Sequence, residues 1–331
     1  MPLVGRDVAT GWGPIELTDS EIADGEAYHR ALYHEGDPNQ PVDWHKKSVN
    51  KLISIAKPHI KQDSLVVDYG SGTGGSAIEL MRSLDQEGVK IELIMIDPLV
   101  SWFSKAREIL GKREDVHFEL STEYDSFGRN TFRRLEDILG GRKADVIISS
   151  STLHLIPERA LGDLAFQFAN NLSKDGVFVW DSGDLESEFR PENSALLHDP
   201  YRTVRELLKA DEVRVSALSN MAEAEIEKFE RRLDRIFPSP ISIRVVLDAL
   251  ENAGFSSEIS DEVVNFSHDD ARRFALVPRL AEIAAPLPEG NIRDKAIVRA
   301  LNSALKSIED DGRGCNNEYR SHWVYGCHKL V

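Results

Sequence analysis

Two cysteines stand among 331 residues, Cys315 and Cys327, and their spacing fits neither a zinc-ligand pair nor a disulfide framework. Free thiols in a reducing compartment follow. Long apolar runs are also missing. Nothing approaches the ~20 residues that span a bilayer, and residues 1–7 have no apolar core of signal-peptide length. The expectation is a cytoplasmic protein with no membrane partner. Basic residues are short as well: Lys and Arg number 40 against 56 Asp and Glu, a formal charge of -16, whereas a phosphate backbone calls for a basic footprint. Lys46-Lys47 and Arg231-Arg232 read as solvated charges, so nucleic acid is not expected as a partner. No His/Asp/Glu set has metal-ligand spacing. His268-Asp269-Asp270, behind Ser267, reads as a helix cap, and no metal is expected. Repeats, low-complexity runs and flexible linkers are absent, while a hydrophobic content of 41% supports a sizeable core.

The most informative stretch is Leu65-Val66-Val67-Asp68-Tyr69-Gly70-Ser71-Gly72-Thr73-Gly74-Gly75-Ser76. Its apolar β-formers end in an acid and then a glycine-rich turn, where backbone comes close to a ligand without Cβ atoms in the way. Ala77, Ile78, Leu80 and Met81 continue as a helix whose first N–H groups face that ligand. Gly70, Gly72 and Gly75 also satisfy G-x-G-x-x-G, a weak dinucleotide signal. Asp68 opposes that reading, because a carboxylate two residues before the first glycine repels a pyrophosphate and suits a cationic group.

Asp68, Gly70, Gly72 and Gly74 resemble motif I, D/E-x-G-x-G-x-G, of the class I S-adenosylmethionine-dependent methyltransferases. The resemblance covers about residues 65–330, with insertions. It implies an α/β fold: a Rossmann-like seven-stranded sheet, mostly parallel with an antiparallel last strand, carrying helical cap insertions. It also implies S-adenosylmethionine (SAM) as cofactor and S-adenosylhomocysteine (SAH) as product. Asp68, Gly70, Ser71, Gly72 and Gly74 would hold the aminocarboxypropyl end. Asp97 and Pro98 close a second strand whose acid would take the ribose hydroxyls. A third strand over 116–121 leads to Thr122, beside the adenine in the family. A fourth from Ala144 carries Ser149 and runs into Thr152-Leu153-His154-Leu155-Ile156-Pro157. A helix over 158–171, a turn at Ser173-Lys174-Asp175-Gly176 and a strand at Val177-Phe178-Val179-Trp180 make the fifth unit. Residues 241–255 and 322–330 would be the helix before strand six and strand seven.

Four segments follow: 1–60 as a helical lid or sheet-packing segment, 61–184 as the SAM-binding core, 185–240 as a helical cap insertion, and 241–331 as the rest of the core with a second insertion at about 267–318. Thr18-Asp19-Ser20-Glu21 reads as a capping box opening a helix to about residue 33, and Val49, Leu52, Ile53 and Ala56 make one apolar stripe within 44–60. Ile226, Phe229, Leu233, Ile236 and Phe237 in the first insertion, and Ile292, Ala296, Ile297, Ala300, Leu301, Ala304, Leu305 and Ile308 in the second, give amphipathic faces. They read as a cap over an acceptor pocket; the same faces would also serve a homodimer.

A sulfonium methyl is already activated, so the protein's task is alignment, exclusion of water and, for a hydroxyl, thiol or acidic C–H, a general base. His154 and Asp181 are the candidate catalytic residues; Tyr33, His34 and Asp184 are candidate acceptor contacts. Each has a blander alternative: scaffold for His154, turn formers for Asp181 and Asp184, half-buried packing for the Tyr28-His29-Tyr33-His34 cluster. The reading is a methyltransferase of specialised or secondary metabolism that passes a methyl group in line to an O, N or C nucleophile of a small metabolite. Ser149-Ser150-Ser151-Thr152 stands where a nucleic-acid base methyltransferase carries Asn/Asp-Pro-Pro-Tyr/Phe, and no double-glutamate loop of the protein arginine type follows. A protein methyltransferase and a non-catalytic SAM-binding regulator stay as alternatives, with an NAD(P)-dependent oxidoreductase behind them.

Overall fold

The computed structural model describes residues 19–331 apart from 35–36, 125–129, 220 and 234–235; the side chains of 19–22, 38, 124, 130, 228–229 and 231–233 are also outside the description. The proposed capping box and the Phe229 and Leu233 positions therefore lie outside the described side chains.

Among the described residues the main sheet has seven principal strands, β1 (Ser64–Tyr69), β2 (Ile91–Asp97), β3 (Val116–Leu120), β4 (Ala144–Ser150), β5 (Leu172–Ser182), β6 (Phe255–Ser267) and β7 (Glu318–Leu330), and a short eighth, Gly314–Cys315, that pairs only with β7. Their order is 3-2-1-4-5-7-6. β1 pairs in parallel with β2 and β4, while β7 runs antiparallel between β5 and β6. The inner strands are apolar on both faces because helices cover both; Val66 and Val67 on β1, and Val146 and Ile147 on β4, are each fully buried. Gly326 lets β7 enter the sheet, since a Cβ there would stand 2.5 Å from the Trp180 ring. The Trp180 indole then donates to His328 Nε2 at 2.7 Å, and burial holds His328 down at about 4.

Three local expectations change. The turn expected at residues 173–176 lies within β5, where the parallel register slips between Ala144↔Leu172 and Val146↔Val177. The extra residues are accommodated as an irregularity rather than as a break in the strand. The helix expected over 44–60 ends at Ala56 and tightens into a 3-10 turn, Lys57–His59, because Pro58 cannot continue the ladder. Tyr33 and His34 leave the first helix, Asp19–Leu32, and pair with Asp37–Pro41 as a short hairpin, so the four-residue Tyr/His stripe is not a helix face.

Apolar clusters lie on the two faces of the sheet. A third cluster joins Ala31 and Leu32 of the first helix to both insertions. In it, helix Asn291–Asp310 buries Ala296, Ile297, Ala300 and Leu301, and helix Asp199–Lys209 buries Tyr201, Val204 and Leu208; Ile292, expected on the same face, is exposed in the first turn, before the helix reaches the cluster. The insertions are tied by polar contacts too. Asp211 caps helix Glu212–Leu218 through the N–H groups of Val213 and Arg214, and the buried Arg214 donates to the Ala285 carbonyl at 2.8 Å. Among the described residues no helix is long and apolar enough to cross a membrane.

Candidate active site

The strand order reverses beside β1, between its two parallel neighbours β2 and β4, and in an open α/β sheet ligands bind at such a point, beyond the carboxyl ends of the strands. Here β1 delivers Asp68 and the glycine loop. Gly70, Gly72 and Gly74 have φ of +74°, +52° and +83°, the left-handed region that an L side chain rarely adopts. Gly70 also lies against Thr152, whose Oγ1 donates to the Gly70 carbonyl at 3.1 Å. The Gly70 and Ser71 N–H groups donate to the Ile96 carbonyl.

Asp68 is fully buried. Its Oδ2 accepts from Ser76 Oγ at 3.1 Å, and its Oδ1 has no partner. Burial, with the nearby Asp97 and Asp181 charges, raises its carboxyl to about 7. An unpaired buried carboxylate oxygen is costly, and a ligand's cationic group would satisfy it. Asp97 ends β2, accepting from Gly72 N at 2.9 Å and Leu99 N at 2.8 Å. Desolvation raises it to about 6. Each of its oxygens keeps a second lone pair for a hydroxyl.

The other expected cofactor residues brace this loop. Ser71 Oγ donates to the Ile96 carbonyl, and Ser149 Oγ donates to the Tyr69 carbonyl at 2.8 Å, tying β4 to β1. Thr122 Oγ1 reaches the Pro98 carbonyl at 3.3 Å, placing Thr122 beside the β2 tip. The turn Val100–Trp102 follows, and the first helix lies on it: a Cβ on Gly25 would stand 2.6 Å from the Ser101 carbonyl. Tyr28 meets Trp102 edge-on at 4.6 Å and Phe274 at 5.5 Å. Its hydroxyl is pushed up to about 12 by burial and by Asp97. Tyr28, rather than Tyr33 or His34, faces the Asp97 end of the site. Tyr33 donates to Glu79 at 3.1 Å, stacks on His29, and supports the helix that follows the glycine loop. His34 pairs with Asp37 in the hairpin.

Beyond β4 and β5 lies a second polar group. Asp181 is fully buried, accepts from Ser151 N and Ser150 Oγ through Oδ1, and leaves Oδ2 without a partner; burial raises it to about 7. Asp184 is not free to hold a cationic acceptor. It accepts from His198 Nδ1 at 3.0 Å and His198 N at 3.2 Å, and it pairs with Arg202. Burial alone would raise Asp184, but His198, His154 and Arg202 outweigh it and hold the carboxyl far below the ordinary range. His154 Nδ1 meets Ser182 Oγ at 3.0 Å, and that oxygen accepts from Asp184 N at 3.1 Å. Burial, then the charges of His198 and Arg202, hold His154 down at about 3.

The donor atoms of His154, Asp184 and His198 come within 4.8 Å of one another, a metal-like grouping. Arg202 already supplies a positive charge at Asp184. His198 and Arg202 had no signal in the sequence beyond a helix start at His198-Asp199-Pro200; they reach the site only because the first insertion folds back over β5.

No family model matches the sequence. The chain is 25% identical over 217 residues to the carboxy-S-adenosyl-L-methionine synthase of Nautilia profundicola, covering 66% of this chain and 80% of that one. Its structure is similar to that of the cyclopropane synthase MmaA2 from Mycobacterium tuberculosis, with a TM-score of 0.50, 11% identity and 95% of each chain covered. It is also similar to a SAM-dependent methyltransferase from Thiobacillus denitrificans in complex with SAH, with a TM-score of 0.48, 12% identity, and 96% of this chain and all of that chain covered.

Proposed function

We propose, on the premise that this chain has the fold of the class I SAM-dependent methyltransferases, that it is an enzyme of that kind acting on a small-molecule metabolite in the cytoplasm. SAM supplies an activated methyl group, and the chain's residues bind, orient and shield it. The carrying observation is the buried Asp68 Oδ1, unpaired beside a left-handed glycine loop. It offers a cation-binding position where the resemblance expects the cofactor's amino group. Asp97 would hold the ribose, and Thr122 borders the adenine side. The first helix and the two insertions close over the carboxyl edge of the sheet, where an acceptor would meet the methyl group and water would be excluded.

The similarity to carboxy-S-adenosyl-L-methionine synthase supports a second reading, in which SAM is itself modified. The test is calorimetric titration with SAM, SAH and NADH on the full chain and on Asp97→Ala, with thermal unfolding as the control for folding. Binding of the two sulfur nucleotides, weakened at least tenfold in Asp97→Ala, is expected. Binding of NADH alone would overturn the reading. Mass analysis of the nucleotide after incubation with SAM and an acceptor panel separates the two chemistries, SAH marking methyl transfer and a carboxylated SAM marking the alternative.

A further inference from the structure

Two imidazoles with unpartnered nitrogens lie where the first helix, Asp19–Leu32, meets the helix that follows the glycine loop, Gly75–Glu87. His29 is 2% exposed, and neither its Nδ1 nor its Nε2 has a partner. His45 is 6% exposed, and its Nε2 has none either. Tyr33 joins the two rings: His29 stacks on it at 4.5 Å, and His45 meets it edge-on at 5.9 Å between ring centres. A Cβ on Gly75 would stand 2.8 Å from His45 Nε2 and 3.2 Å from Leu32 Cδ1. Leu32 ends the first helix, so the helix that carries His29 also covers His45.

A buried neutral imidazole without a partner costs far less than a buried imidazolium without an acceptor. Among the described residues no carboxylate bonds either ring. Lys105, Arg82 and Arg30 oppose a proton on His29 and Glu108 favours one, while His29 itself opposes one on His45. Glu79 is engaged, accepting from Tyr33 at 3.1 Å and from Arg82 at 2.6 Å. Burial, ahead of all these charges, holds His29 down at about 4 and His45 at about 3. The covering helix depends on docking, since 14 residues with Gly25 in the middle are marginal alone. It is held by Tyr28 on Trp102 and Phe274, by the Arg279 N–H on Asp24 at 2.9 Å, and by Arg273 on the Tyr33 carbonyl at 3.1 Å. Such a segment lifts while the sheet stays folded.

We infer that the first helix is a proton-gated lid: His29 and His45 must both be neutral for it to close, and acid opens it by protonating them. The gate is a property of the free chain; its effect on a ligand at the glycine loop rests on the methyltransferase reading above. Once released to water, each ring returns to an ordinary value of about 6.5. Closure is therefore unhindered above about pH 6.5 and is lost progressively as pH falls toward the values of the closed form. Near pH 5 each fully released ring favours the open form by about 30-fold. The carboxyls on the same helix and at the β2 tip act in the opposite sense. Burial raises Asp24 and Asp97 in the closed form, so their protonation favours closure in acid. Tyr28 and Tyr33 are both raised and stay protonated throughout. The direction of the pH dependence thus tells the histidines from the carboxyls.

The test is hydrogen exchange on the full chain near pH 7.5 and near pH 5, for the wild type and for H29Q/H45Q. It is read as protection factors over residues 23–34, with helix Asn291–Asp310 as the internal reference. Between the two pH values the wild-type lid is expected to lose at least about tenfold more protection than the double variant's, while the reference helix holds in both. Equal losses in the two proteins, no loss in the wild type, or a reference helix that falls in step with the lid would each overturn the inference. If H29Q/H45Q fails to fold, the ¹⁵N signals of the wild-type rings decide. Rings that gain protons only as protection is lost support the gate, and rings that gain them under a protected lid refute it. SAH added near pH 7.5 is expected to raise the lid's protection. Should SAH bind and leave it unmoved, the link to the glycine loop falls; should SAH not bind, the methyltransferase reading falls and the free chain still judges the gate.

Discussion

Gly70 and Gly72 sit two residues apart in one left-handed loop, yet alanine should affect them differently. At Gly72, with φ of +52°, an added Cβ would meet nothing nearer than Trp102 Cε3 at 3.9 Å. The folded chain therefore loses only the left-handed strain of an L residue, about 1–2 kcal/mol, which lowers the melting temperature by a few °C in a chain of this size. At Gly70, with φ of +74°, the Cβ would stand 2.4 Å from both Thr152 Cγ2 and Oγ1. That adds overpacking of about 1–3 kcal/mol to the same strain, so Gly70→Ala should lose about 2–5 kcal/mol. On the proposed reading the space beside Gly72 is kept for a ligand's approach, whereas Thr152 fills the space beside Gly70. Gly72→Ala should thus weaken SAH binding at least tenfold, about 1.4 kcal/mol, despite its mild effect on folding. Thermal unfolding paired with SAH calorimetry, run well below both melting points, separates the two costs. If Gly72→Ala binds SAH within twofold of wild type, or melts as early as Gly70→Ala, the reasoning is wrong.

Other outcomes follow from the buried charges. Asp68, Asp97 and Asp181 are raised to about 7, 6 and 7 by desolvation, so near pH 6–7 they are partly protonated. A cationic ligand favours their ionised forms, and SAM binding should release protons, measured as calorimetric heats that change with the buffer's ionisation enthalpy; no release at pH 6.5 would refute this. Asp181 binds its proton more tightly folded than unfolded, so its contribution to stability is present below about pH 4 and is lost as pH rises through about 7. Asp181→Asn should therefore gain on wild type from about pH 4 upward and be more stable at pH 8 by on the order of 2–4 kcal/mol, read by urea unfolding at pH 5 and 8. Arg202→Met strands the buried Asp184 beside His198 alone and should cost about 3–5 kcal/mol, a loss that denaturant unfolding at pH 8 would reveal or exclude.

The core strands were legible because burial on both faces writes itself as unbroken apolar runs. Leu65-Val66-Val67 and Val146-Ile147-Ile148 need no tertiary information to be recognised. Asp68 and the glycines were legible because their spacing follows from local backbone geometry. The hairpin at Tyr33 was not, since Ala31, Leu32, Tyr33 and Val42 are buried against the cap, and only the folded insertions make that burial available. The slip between β4 and β5 was hidden because Ser173-Lys174-Asp175-Gly176 has the composition of a turn, and sheet pairing overrode it. His198 was the largest omission: a histidine preceding Asp-Pro at a helix start carries no periodicity, and its meaning comes entirely from Asp184, Arg202 and the aromatic rings that three distant segments bring around it.

That difference has a physical origin in how the two halves of the site are built. The glycine-loop half is assembled from the tips of adjacent parallel strands, where bonds donated by main-chain N–H groups, such as Gly72 N to Asp97 Oδ2 and Gly70 N to the Ile96 carbonyl, fix positions in sequence order. The proposed cap is assembled by packing: helix Asp199–Lys209 from the first insertion settles on helix Asn291–Asp310 from the second, and His268–Ala275 contributes Phe274 from between them. Main-chain geometry leaves a local imprint on sequence, whereas packing leaves only apolar faces that fit many partners. The polar cluster inside such packing is costly unless every charge is compensated, and Asp184 accepts three hydrogen bonds from two residues to meet that demand.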